Sequence, residues 1–217
     1  MVTAECDFCR EFSGRPGNDF HRIYGGDPES RILFQSKEFV IVPSLGQIVG
    51  GYLLVLPRGH LRALGDLPVA SLDELYSILQ RVGKSLSKEY GPHVLFEHGT
   101  RTVGVGGCGI YHAHLHATPL GMISDPVSAL KARFPYEQVA ELGEITDRTA
   151  GMSSYLFYRD SEGGLYVFNT GPLPSQYMRK LLADAMGEQA WDWRAAGREE
   201  RLLATMQRLS SCLANAS

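Results

Sequence analysis

Short apolar runs punctuate the first hundred residues. Residues 31–34 (RILF), 39–42 (FVIV) and 52–56 (YLLVL) have strand length, and the Gly-rich turn at 46–51 joins the last two. Together they predict an antiparallel meander. From residue 66 to 90 the period changes: Leu72, Leu75, Ile78, Leu79, Val82 and Leu86 recur at three- and four-residue steps, one face of an amphipathic helix. Ser71 or Asp66 would cap it, and Gly91-Pro92 would stop it. A fourth strand is predicted at 93–97 (HVLFE), a glycine-rich loop at 100–109 and a fifth strand at 110–119. The order strand, strand, strand, helix, strand, loop, strand describes an α+β fold, a five-stranded antiparallel sheet with a long helix packed across it.

Beyond residue 120 the pattern restarts. Two short helices are predicted at 126–134 and 136–142, and a hairpin from SYLFY (154–158) and LYVF (165–168) around the turn DSEGG. A helix over 174–186 with Gly187 behind it, and a terminal helix over 198–213, complete the chain. Residues 13–30, rich in Gly, Pro, Asp and Ser, read as a surface loop in which His21 is solvated. The expected organisation is a domain over 1–120 and an extension over 121–217 packed on it.

Length and composition narrow the function classes. A chain of 217 residues can bury a real core, and its 44% hydrophobic content is ordinary for a globular protein. No apolar run approaches the ~20 residues of a membrane span, and MVTAECDFCREF lacks the basic-then-apolar order of a secretory signal. Net charge is −3 without a long run of one sign, so neither a nucleic-acid nor a membrane surface is expected. Four cysteines are too few and too unevenly placed for a disulfide framework, and a reducing cytoplasm is the expected location.

Two of them, Cys6 and Cys9, form CxxC. The motif suits a metal knuckle or a redox pair; metal is favoured because a redox pair opens a helix after a strand, and no strand-length segment precedes Cys6. Two thiolates then need two further ligands from elsewhere in the chain.

The densest chemistry is YHAHLHATPL at 111–120. In an extended strand His112, His114 and His116 share one face while Ala113, Leu115 and Ala117 take the other. Each imidazole brings a donor and an acceptor that must be satisfied on burial, so three in alternate register point to a site rather than to packing. Alternating histidines can also converge on a catalytic metal, a reading that leaves the CxxC short of ligands.

HAHLHAT resembles the signature of the histidine triad family, with Thr118 departing at the last position. The resemblance implies that His114 is a nucleophile toward the α-phosphorus of a nucleotide, and that His116 assists at the phosphoryl oxygens or the leaving group. Its third histidine, where the uridylyltransferase branch has Gln, implies a hydrolase. A transferase or phosphorylase passing the nucleotidyl group to another acceptor, and a nucleotide-binding module without turnover, are the alternatives. Members with an N-terminal CxxC imply structural Zn2+ held by Cys6, Cys9, His60 and His112. Substrate contacts are expected from Ser44, Glu97, Arg101 and the loop residues Gly106, Gly107, Cys108 and Gly109. The pattern departs at Ser44, where relatives place Asp or Asn, at Tyr52, where many have His, and at Glu97, Cys108 and Gly109. The resemblance implies a homodimer through the edge strand and helix, unless the long C-terminal extension covers that surface. Arg179, Lys180 and Arg194 read as a solvated helix face.

Overall fold

The computed structural model describes residues 6–102 and 109–215. Its centre is a single eight-stranded antiparallel sheet. In chain order the strands are β1 (Phe34–Gln35), β2 (Phe39–Pro43), β3 (Leu53–Pro57), β4 (His93–Thr100), β5 (Leu115–Pro119), β6 (Tyr136–Val139), β7 (Ser154–Arg159) and β8 (Leu165–Phe168). They lie side by side as β1-β2-β3-β5-β4-β7-β8-β6.

The expected meander and the β4–β5 pair are therefore present, but the sheet does not stop at five strands. β7 pairs with β4 along its length, from Leu95 opposite Arg159 to Thr100 opposite Ser154, so the C-terminal hairpin prolongs the sheet across residue 120. That pairing satisfies an edge of backbone donors and acceptors that β4 would otherwise expose.

Helices cover both faces. On one lies α3 (Leu72–Tyr90), which buries Leu75, Ile78, Val82 and Leu86, each worth about 1.5–3 kcal/mol. Beside it are α5 (Glu144–Arg148) and α7 (Glu199–Asn215), whose Ile145, Leu209 and Leu213 join the same core. On the other face α1 (Asp7–Phe12), α4 (Val127–Arg133) and α6 (Tyr177–Ala185) supply Phe8, Leu130, Met178 and Leu182 to a second core. A third cluster joins α2 (Asp19–Tyr24) through Phe20 and Tyr24 to Leu45, Trp193 and Leu202.

Five local expectations are corrected. The loop expected over 13–30 contains α2, because Asn18 Oδ1 accepts from His21 N–H as an N-cap and Phe20 and Tyr24 find a core; His21 itself is exposed. The helix expected over 136–142 is instead the edge strand β6. Pro135 forces Phe134 into extended backbone (φ −128°, ψ 142°), which ends α4 and leaves the following residues to pair with β8. The long helix begins at Leu72, preceded by two short 3-10 turns. The first strand shrinks to Phe34–Gln35, and the triad strand to Leu115–Pro119.

Candidate functional site

The shortened triad strand has a local cause. Ala113 N–H donates to Leu61 C=O at 2.7 Å rather than to a neighbouring strand, and His112 Nε2–H donates to Pro57 C=O at 2.8 Å. His112 and His114 thus lie just before β5, while His116 sits within it, opposite Leu54 on β3 and Phe96 on β4.

Cys6, at the start of α1, and Cys9, in its first turn, meet His60 and His112 in one cluster whose ligand atoms all lie within 4.8 Å of one another. Cys6 Sγ is 3.4 Å from His112 Nδ1, and Cys9 Sγ is 3.5 Å from His60 Nδ1 and 3.6 Å from His112 Nδ1. A tetrahedral ion with metal–sulfur bonds near 2.3 Å and metal–nitrogen bonds near 2.05 Å requires a sulfur–nitrogen edge of about 3.6 Å. The donor set therefore fits a closed four-ligand metal site. The His112 Nε2–H bond to Pro57 fixes the tautomer with its lone pair on Nδ1, as a ligand needs. Burial pushes the Cys6 thiol up to about 11, and a bound cation is what would hold it as thiolate at neutral pH.

Beyond this cluster the remaining histidines close up. The His114 and His116 ring centroids are 4.8 Å apart, Phe8 of α1 packs 5.6 Å from His114, and Phe96 stacks on His116 at 4.4 Å. His114 Nδ1 lies 2.6 Å from His112 C=O, so Nδ1 carries the proton and Nε2 the lone pair. Burial lowers the pKa of both rings, and His114 further lowers His116. Tyr52 OH and His116 Nδ1 share a 2.7 Å hydrogen bond, so the tyrosine at the position where many relatives have His still holds a triad ring.

These groups face a small pocket. Asp7, Phe8 and Arg31 border it from the N-terminal side, Ser44 and Leu45 from the loop after β2, and Gln176, Arg179 and Trp193 from the C-terminal side. Its cavity volume is about 30 Å³, room for about two water molecules.

The profile of the HIT domain family matches residues 26–121. The chain carries a HIT domain. Over 107 residues it is 25% identical to an uncharacterized HIT-like protein of Chlamydia muridarum, covering 48% of this chain and 82% of that one. Among solved structures, a HIT family protein from Bacillus anthracis is 17% identical with a TM-score of 0.40, covering 54% of this chain and 73% of that one. A Zn-bound histidine triad family protein from Mycobacterium smegmatis is 15% identical with a TM-score of 0.32, covering 45% and 72%.

The structure sorts the sequence-derived site residues. His112, His114, His116 and Ser44 come together, and Cys6, Cys9, His60 and His112 form the cluster. Gly109 lies beside Arg194 at φ +84°, a conformation glycine adopts without strain, whereas Gly106, Gly107 and Cys108 fall outside the described residues. Glu97 and Arg101 are not in the pocket. Glu97 points to the α3 face of the sheet, where its carboxylate accepts from Leu64 N–H (2.7 Å) and Tyr155 OH (2.6 Å). Arg101 pairs with Asp66 and donates to the Thr149 and Met152 carbonyls, tying β4 to the turn after α5.

Sequence reasoning missed other members. Arg179 is not on a solvated face: it is 3% exposed and donates to Ser44 Oγ (3.1 Å) and to the Leu45, Gly46 and Trp191 carbonyls, with its guanidinium 5.3 Å from the centre of the Tyr52 ring. A signal existed, since Arg179 shares the apolar stripe of α6 with Met178, Leu182 and Ala183. Arg31, buried and paired with Glu11 through two nitrogens at 2.7 and 2.8 Å, had no such signal. His98 is also buried, with its ring 6.4 Å from His116 and its Nε2 accepting from Met178 N–H.

Proposed function

We propose that this HIT-domain protein is a nucleotidyl hydrolase that works through a covalent nucleotidyl-histidine. The observation that carries the reading is the hydrogen bond from His114 Nδ1–H to the His112 carbonyl, which leaves the Nε2 lone pair as the nucleophile. Nε2 attacks the α-phosphorus, the nitrogen–phosphorus bond forms as the bond to the leaving oxygen breaks, and that oxygen takes a proton. With Tyr52 OH donating to its Nδ1, neutral His116 carries its one proton on Nε2 and donates it as a hydrogen bond to the phosphoryl oxygens, while the proton on the leaving oxygen comes from solvent water. Water then attacks the phosphorus, its proton passes to solvent, and the nitrogen–phosphorus bond breaks to free His114 and a nucleoside monophosphate. Phe8 and Phe96 fix the two rings in place before substrate arrives.

Zn2+ is the metal proposed for Cys6, Cys9, His60 and His112, where it would supply structural cross-linking. All four ligands are protein side chains, so the site is closed, and it pins α1 to the triad segment. A nucleotide site occupies on the order of 300 Å³ or more, so the wall made by Gln176, Arg179 and Trp193 must open to admit one. β7 already fills the β4 edge, so the functional unit proposed is the single chain, in a reducing cytoplasm that keeps the thiols available.

The test is intact mass under non-acidic denaturation after brief incubation with nucleoside phosphoramidates, dinucleoside polyphosphates and nucleotide sugars. A nucleoside monophosphate adduct on the wild type, absent from His114→Ala, is expected. Monophosphate release without a His114-dependent adduct would refute the covalent route, and release that requires added phosphate would make the enzyme a phosphorylase.

A further inference from the structure

Across the sheet from the histidine pocket, a groove of about 400 Å³ opens between α3 and the turn of the β7–β8 hairpin. That volume lies within the range of small-molecule sites, which the histidine pocket does not reach in its closed form. Leu79, Leu95 and Leu165 give the groove an apolar lining, while Lys84 from α3, Arg159 from the end of β7 and His93 from the start of β4 supply its charged and polar groups.

Three observations distinguish it from an ordinary surface dip. The chain is net negative, yet among the described residues Lys84 and Arg159 enter no ion pair or side-chain hydrogen bond, and no carboxylate is among the residues that line the groove. His93 is 8% exposed, and burial together with the neighbouring Arg159 charge lowers its pKa, so a neutral imidazole meets the groove with its Nε2 edge beside Gly83. Gly83 stands in the interior of α3, where glycine is a poor helix former. A Cβ there would come no nearer than 3.6 Å to the His93 ring, an ordinary contact, so packing does not require the glycine; its effect is to keep the groove open over the imidazole.

We propose that this groove binds a small organic oxyanion, a phosphate or carboxylate head carried on an apolar body of one or two rings. The head lies between the Lys84 ammonium and the Arg159 guanidinium, which form charge-assisted hydrogen bonds to its oxygens, and the body rests on the leucines. Because the groove uses no triad residue and no metal ligand, it stands independently of the proposed reaction.

The experiment is an NMR titration of the full chain in the His114→Ala background, following the His93 ring Cε1–H resonance, with phenyl phosphate, benzoate and the neutral benzyl alcohol as probes. Saturable shifts are expected for at least one anion, and which one responds identifies the head group. Lys84→Ala and Arg159→Ala should each weaken that binding about tenfold, and Gly83→Leu, which fills the groove and suits a helix, should abolish it with the circular dichroism melt retained. The proposal is overturned if neither anion shifts the resonance by about 10 mM, if benzyl alcohol binds as well as the anions, or if binding survives the Lys84→Ala/Arg159→Ala double substitution.

Discussion

Glu97 offers a quantitative test, because its surroundings assign it a structural role in place of the substrate contact implied by the family resemblance. The carboxylate is fully buried, and burial pushes its pKa from 4.5 up to about 7 against the opposing hydrogen bonds from Tyr155 OH and Leu64 N–H. Arg101 favours the charged form and Asp66 opposes it. In the unfolded chain Glu97 ionises near 4.5, whereas in the folded protein it keeps its proton until about 7. Stability is therefore lost as pH rises between those values, and the deficit is complete above the folded pKa. The interval corresponds to roughly 3 kcal/mol. Glu97→Gln keeps the acceptor for Leu64 N–H, offers an amide N–H to the Tyr155 oxygen, and cannot ionise. Urea unfolding of both proteins from about pH 5 to pH 8 measures the difference directly, and other titrating groups cancel because they are common to both. The glutamine variant should gain on the wild type by roughly 2–3 kcal/mol as pH rises, with turnover at saturating substrate unchanged. A stability difference that is flat with pH, combined with a raised KM, would refute the argument and return Glu97 to the substrate.

Tyr52→Phe removes the hydroxyl that holds His116 while keeping the ring under Arg179; kcat should fall about tenfold with KM little changed, and an equal loss in a His116→Ala background would show that the tyrosine acts elsewhere. Elemental analysis should find one zinc per chain, and Cys9→Ser or chelation should lower Tm by about 10 °C or more, since the ion links α1 to the triad segment; an unchanged melt would remove the structural role. Gly46→Ala places a Cβ at φ +53° against the Ala196 carbonyl and 2.8 Å from Trp193 Cα, so unfolding free energy should drop by about 1–3 kcal/mol, whereas a neutral result would mean that the 193–196 segment does not press on this loop.

How far the sequence could carry the structure depended on the range over which each feature is determined. The period of α3, the apolar runs of β2 and β3 and the alternation of the triad are local, and each stands in the structure with its ends shifted. The cysteine–histidine cluster was reachable only through the resemblance, because no spacing rule links Cys6 to residues 51 and 103 positions away from Cys9. β6 was illegible: Tyr136-Glu137-Gln138 has exposed residues and no alternation, and it becomes a strand because β8 presents an edge. Glu97 was misplaced by a single residue of strand parity, since neighbours on β4 face opposite sides and it is His98 that looks toward the triad.

Arg179 connects the two halves of the chain. A guanidinium removed from water is costly unless its donors are met, and here they are met by Ser44 Oγ and the carbonyls of Leu45, Gly46 and Trp191. Those acceptors belong to the loop bordering the histidines and to the segment that brings in Trp193, so one side chain from α6 holds both walls of the pocket together. Its ring contact runs through Tyr52 to His116, which places the same residue one step from the triad. A ligand large enough to reach His114 must part these walls, and an anionic one offers Arg179 oxygens in exchange for the carbonyls it releases. Under the proposed function, opening of the cleft and recognition of a phosphate would draw on the same five N–H donors, a use that would account for a cation on the apolar stripe of α6.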